Sequence, residues 1–179
     1  MKPSTHLSAC VATVTWLLAA QSAMAASAQS TPPAGYTYNL PLELAVEAAR
    51  EAVRACDGNG YKVTATVVDM AGTPKVVLRG DQSTVHTGES SFRKAFTVVT
   101  LGPMFHFEAS SVFFEMVKTN PYAPQLATIH NVMALPGAVA FMVQGEMVGA
   151  LGVGGAPGGD KDEVCARAGI AKVADRLPH

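Results

Sequence analysis

The chain has 179 residues, 49% of them hydrophobic and 15% charged, with 13 Lys+Arg against 14 Asp+Glu and a formal net charge of -1. That apolar fraction with so little charge excludes a disordered chain, and 16 Gly and 11 Pro without a period or a sustained heptad exclude collagen and coiled coil. A near-neutral balance gives no electrostatic ground for nucleic acid or an anionic membrane as partner.

Lys2 precedes an uncharged apolar run over residues 7–20, too short to span a membrane and of the length of a signal-peptide core. Ala23 and Ala25 supply the small residues of a cleavage site, so residues 1–25 read as a signal peptide cut after Ala25. Cys10 lies within the apolar run and not at the cut, so no membrane anchor is expected and the product is periplasmic or secreted. Residues 26–39 read as a flexible leader and 40–179 as a single domain. Cys56 and Cys165 remain after cleavage; an even count in an oxidising compartment makes a disulfide the default, with two buried free thiols as the alternative.

Over residues 42–56, Leu42, Ala45, Val46, Ala49, Val53 and Cys56 recur at helical spacing, with charged residues between them and Asp57-Gly58-Asn59-Gly60 as the stop. A β-hairpin follows, from β-branched residues 63–68 through a Gly-centred turn over 69–74 to residues 75–79. Residues 80–88 are polar and read as a loop. Helical spacing returns over 89–99, with Arg93 and Lys94 outward and Gly102-Pro103 as the end. A further helix is expected over 107–118 and is stopped by Asn120-Pro121, while residues 122–135 are ambiguous.

Residues 138–143 and 147–153 form a second hairpin around Gln144-Gly145-Glu146, with a Gly-rich loop over 152–159. Asp160 stands three residues before Glu163, as in a capping box, and opens a helix reaching about Arg176. The order α-β-β-α-α-β-β-α requires an antiparallel sheet with helices on its apolar face.

Val67-Val68-Asp69-x-x-Gly72, Arg79-x-Asp81, the run from Ser90 and Ser91 to Lys94-Ala95 and Thr97, and Gly145-x-x-x-Gly149-Ala150-x-Gly152-Val153 with its continuation to Gly169 resemble the GlcG/HbpS-like family. That family includes exported haem-binding proteins and a small protein of the glycolate-utilisation operon. The resemblance implies a profilin-like α/β (α+β) domain, an antiparallel sheet of hairpins with the N- and C-terminal helices packed on one face, and self-association into a homo-oligomer. The chain departs from the family at Ala134-Leu135-Pro136-Gly137, where relatives often carry Gly-Gly-Val-Pro, and in the aromatic, His-bearing stretch 102–131.

The function this implies is non-enzymatic binding of haem, for sequestration, carriage or sensing. The absence of Cys-x-x-Cys-His makes the haem b-type and non-covalent. Haem needs an axial donor beside a flat apolar slot. Met104-Phe105-His106-Phe107 offers both, and His130 and His86 are further donors, so His106 and His130 are the candidate metal ligands. Arg79 or Lys94 could meet a propionate or a small carboxylate, because a guanidinium fork matches two carboxylate oxygens. An organic acid, bound or turned over, is therefore the second reading. Against these stand ordinary structural roles: Asp69 capping a turn, Arg79 with Asp81 as a surface pair, Glu163 completing a helix cap. Gly152-x-Gly154-Gly155 lacks the full dinucleotide fingerprint and reads as a turn before a capped helix.

Overall fold

The computed structural model describes residues 38–178. The expected signal peptide, its cut after Ala25 and all but the last two residues of the expected leader lie outside the described residues. Among the described residues no helix is long and apolar enough to cross a membrane.

Helix α1 (Leu42–Asp57) buries a stripe of small residues, Ala45, Ala48, Ala49, Ala52 and Cys56. Small side chains let a second helix approach closely, and α5 (Gly159–Val173) does so. At Gly169 a Cβ would collide with the Ala48 carbonyl oxygen, so the helix crossing depends on that glycine. Cys56 and Cys165 sit on these facing stripes, Cα atoms 5.5 Å apart, and form a disulfide.

Four strands, β1 (Thr64–Val68), β2 (Pro74–Arg79), β3 (Ala138–Val143) and β4 (Glu146–Gly154), form an antiparallel sheet in the order β2-β1-β4-β3. Alternation divides their side chains between two faces. Ala65, Val67, Val139, Phe141, Leu151 and Val153 join the core under α1 and α5. Val68, Ala138, Ala140 and Ala150 join a second core with Ala95, Val98 and Val99 of α2 (His86–Phe105). Helices thus cover both faces, not one. The expected pairing of first and last helices on one face holds, and the doubly buried β1, apolar or β-branched at every position, is the strand type that two covered faces demand.

Helix α2 lies close to the sheet. Thr64 pairs with Thr87, and Thr66 with Ser91, through buried hydroxyl contacts of 2.7 Å. At Gly152 a Cβ would strike the Ser91 carbonyl, and at Gly154 the Ser90 hydroxyl. Gly154, expected in the loop, and Gly152, expected at the seam between the strand 147–153 and that loop, are both strand residues, left bare so that the helix backbone can rest on β4.

Other boundaries shift for local reasons. Helix α2 starts at His86, inside the expected loop, and runs through Gly102 and Pro103 to Phe105. Helix α3 (Ser110–Thr119) starts three residues later than expected, and the ambiguous stretch contains a short helix, α4 (Ala123–Leu126). Helix α5 begins at Gly159, with Gly158 as an N-cap that makes no side-chain bond. Asp160 is therefore a first-turn residue and no capping box forms.

Candidate functional site

Helix α2 ends at His106, whose backbone is left-handed at φ 57 and whose N–H closes on the Gly102 carbonyl. The chain reverses tightly there: Phe107 N–H also donates to Gly102 O at 3.1 Å, and a Cβ at Gly102 would meet the Phe107 carbonyl. The left-handed cap turns His106 outward while Phe107 is driven into the core, 3% exposed. His106 thereby lines an open cleft of about 470 Å³ between this reversal, the β1–β2 turn and the β3–β4 turn. Met70, Met142, Met147 and Phe107 provide its apolar wall, and Glu108 and Glu146 add carboxylates.

The other sequence candidates do not gather around it. Met104 is 68% exposed and does not line this cleft. His86 is exposed at the first residue of α2, and a 20-residue helix separates it from His106 by about 30 Å. His130 is exposed after α4 and is not part of the cleft wall. Among the described residues no group of three or more His, Cys, Asp or Glu side chains is placed to hold a metal ion.

Lys94, expected on the outer side of its helix, is 3% exposed. Its Nζ lies 2.7 Å from Asp162 Oδ2 and donates to the Val153 carbonyl at 3.1 Å, so it is spent inside the fold and is not part of this cleft's wall. Arg79 does not pair with Asp81 among the described ion pairs. Its Nε donates to Ser83 O at 2.9 Å and a terminal nitrogen contacts the same oxygen, placing it in a second cleft near the end of α1. Asp69 caps its turn as expected, accepting from the Ala71 and Thr73 N–H groups at 2.9 and 3.0 Å. Glu163 reaches to another helix, accepting from Ser111 N–H at 3.3 Å and Ser111 Oγ at 3.0 Å.

Met70, Met142 and Met147 were missed because they come from two separate hairpins, and only the sheet register brings them to one end. The available signal was positional: each lies in or beside a hairpin turn.

Fold and cleft together define a three-layer α+β domain with a four-stranded antiparallel sheet and an open, His-bearing cleft, apolar on one wall, at one end of it. The chain belongs to the HbpS-like family: the family model described as haem degrading protein HbpS-like matches residues 40–171. A crystal structure of HbpS is 37% identical, with a TM-score of 0.69, covering 77% of this chain and 92% of that one. A double mutant of Streptomyces reticuli HbpS is 36% identical, with a TM-score of 0.70 and coverage of 83% and 98%. The structure of a PduOC:haem complex, 22% identical with a TM-score of 0.66 and coverage of 78% and 97%, shares the fold. No curated protein matches. The family and the fold expected from the sequence are both borne out.

Proposed function

We propose that this protein is an exported haem-binding protein that holds b-type haem non-covalently in the cleft at the end of α2, with His106 as the axial donor. The observation that carries the reading is the position of His106: an exposed imidazole fixed by a left-handed helix cap at the mouth of a cleft walled by three methionines and Phe107. An imidazole donor beside a wall of three methionines and a phenylalanine suits haem, which when bound would supply iron-centred ligand and redox chemistry. Glu108 and Glu146 disfavour propionates inside the cleft, so the apolar edge of the ring enters and the carboxylates stay in solvent. Family membership supports the same reading, since the family's description names haem.

Export is supported by the apolar segment before Ala25 and by the Cys56–Cys165 bridge, a bond that persists in oxidising compartments. Self-association is supported by apolar side chains left in solvent on α2 and α3, Met104 at 68% and Val112 at 48% exposed.

Absorbance titration of the purified protein with ferric haem tests the assignment. Saturable one-to-one binding with a shifted Soret band, lost in His106→Ala and kept in His86→Ala and His130→Ala, is the expected result. Unsaturable binding, the same in every variant, overturns it. The titrated complex is then held in ascorbate: a band that persists supports carriage, whereas bleaching replaces carriage with turnover.

A further inference from the structure

A second cleft, also of about 470 Å³, opens between the last turns of α1, the start of β1 and the loop leaving β2. It borders Val63, whereas the His106 cleft borders Met70, so the two lie at opposite ends of β1, about 20 Å apart along the strand. No residue lines both.

Its charge is opposite in sign to that of the His106 cleft. Arg50, Arg54, Lys62 and Arg79 face only two carboxylates, Asp57 and Asp81. Lys62 is paired with Asp57, and Arg54 with Glu51. Among the described ion pairs neither Arg50 nor Arg79 has a carboxylate partner; Asp81 in the cleft wall and Glu47 beside Arg50 offset part of their charge, and the lining keeps an excess of positive groups.

Arg79 is also held in place. Its Nε and one terminal nitrogen are anchored on the Ser83 carbonyl, leaving the remaining N–H donors for another acceptor. Ser83 is 2% exposed and is itself pinned, its Oγ donating to Val63 O at 2.7 Å and its N–H to Gly80 O at 3.2 Å. Between them Gln82, which also lines the cleft, is held at φ 62. A non-glycine residue in the left-handed region costs free energy and persists where its surroundings fix the loop, here through the Ser83 hydrogen bonds. Tyr61, Val53 and Leu78 complete the wall with an aromatic and an apolar surface, which inorganic oxyanions do not need.

We propose that this cleft is a second ligand site, for a small organic acid whose carboxylate is met by Arg79 and Arg50 and whose apolar body lies against Tyr61, Val53 and Leu78. A fixed guanidinium matches the two oxygens of a carboxylate, and the adjoining apolar wall selects an acid with a hydrophobic body over a bare anion. Because the site shares no residue with the His106 cleft, it is independent of haem binding.

Calorimetric titration with benzoate, succinate and inorganic phosphate tests this, on the protein with and without haem. Benzoate is expected to bind saturably and more tightly than phosphate. Arg79→Gln and Arg50→Gln are each expected to weaken it about tenfold or more, as the loss of one charge-assisted hydrogen bond implies. Arg50 is exposed and makes no side-chain hydrogen bond among the described residues, so its variant keeps the fold even if the Arg79 variant loosens the loop. The haem titration should be the same in both variants. Absence of saturable binding by either acid, phosphate binding as tightly as benzoate, or an affinity unchanged in both variants overturns the proposal.

Discussion

Lys94 Nζ lies 2.7 Å from Asp162 Oδ2 inside the protein, joining α2 on one face of the sheet to α5 on the other. The pair is completed by backbone groups, since Lys94 also donates to Val153 O and Asp162 Oδ1 accepts from Ala156 N–H at 2.9 Å. Gly137 gives the pair room: a Cβ there would lie 2.8 Å from Lys94 Nζ. Removing one partner strands a buried charge, whereas removing both does not. Lys94→Met is expected to cost about 3–5 kcal/mol, and Lys94→Met with Asp162→Leu to recover much of it. Urea denaturation of both single variants and the double variant, read as a cycle, checks this; additive losses would show no coupling.

The same pair sets a pH dependence. Burial holds the Asp162 carboxyl above its ordinary value, opposed by Lys94 and by the Ala156 and Gly155 backbone. A carboxyl raised on folding keeps its proton longer in the folded chain, so its contribution to stability is complete below the ordinary carboxyl pKa and declines as pH rises through the shifted value. Lys94→Met removes the largest opposing influence, so the decline becomes deeper and extends to higher pH. The stability gap between wild type and Lys94→Met is therefore expected to widen from about pH 4 to about pH 8. Urea midpoints at the two pH values measure it, and a gap of constant size would contradict the mechanism.

The Cys56–Cys165 bridge spans 109 residues and ties the two ends of the domain. A cross-link closing so long a loop restricts the unfolded chain strongly, and its removal is expected to cost about 2–5 kcal/mol. Paired Cys56→Ala and Cys165→Ala substitution should lower the thermal midpoint, and reductant should lower that of wild type but not of the double variant. A wild-type midpoint insensitive to reductant would mean that the bridge contributes nothing.

How much of this was legible in the sequence follows from the range of each interaction. The hairpins and α1 rest on local alternation and spacing, so residues 42–56, 63–79 and 138–153 could be placed closely. Lys94 was read as outward because it stands beside Arg93 off the stripe of Phe92, Ala95, Phe96 and Val99, and its partner Asp162 is 68 positions away. Gly154 was read as loop, and Gly152 as the seam between strand and loop, because glycine has no side chain to report that a helix backbone rests on it. His106 was legible as a donor, but its cleft is built by Met70, Met142 and Met147 from two turns that only the sheet order brings together.

The glycines of β4 offer a direct test of that close approach. If Gly152 lies under α2, alanine there must push against the Ser91 carbonyl and the Ala95 N–H, backbone atoms that cannot rotate away. Gly152→Ala is expected to destabilise by about 1–3 kcal/mol or more, as overpacking does. Gly145, with nothing within 4 Å of a Cβ but with φ 83, serves as the comparison, because alanine there meets only backbone strain. Its smaller expected loss, about 1 kcal/mol, comes from the left-handed conformation alone. Equal losses at the two sites, by denaturant titration, would place the strain in the backbone at both and remove the close approach of α2 as the reason for the bare strand.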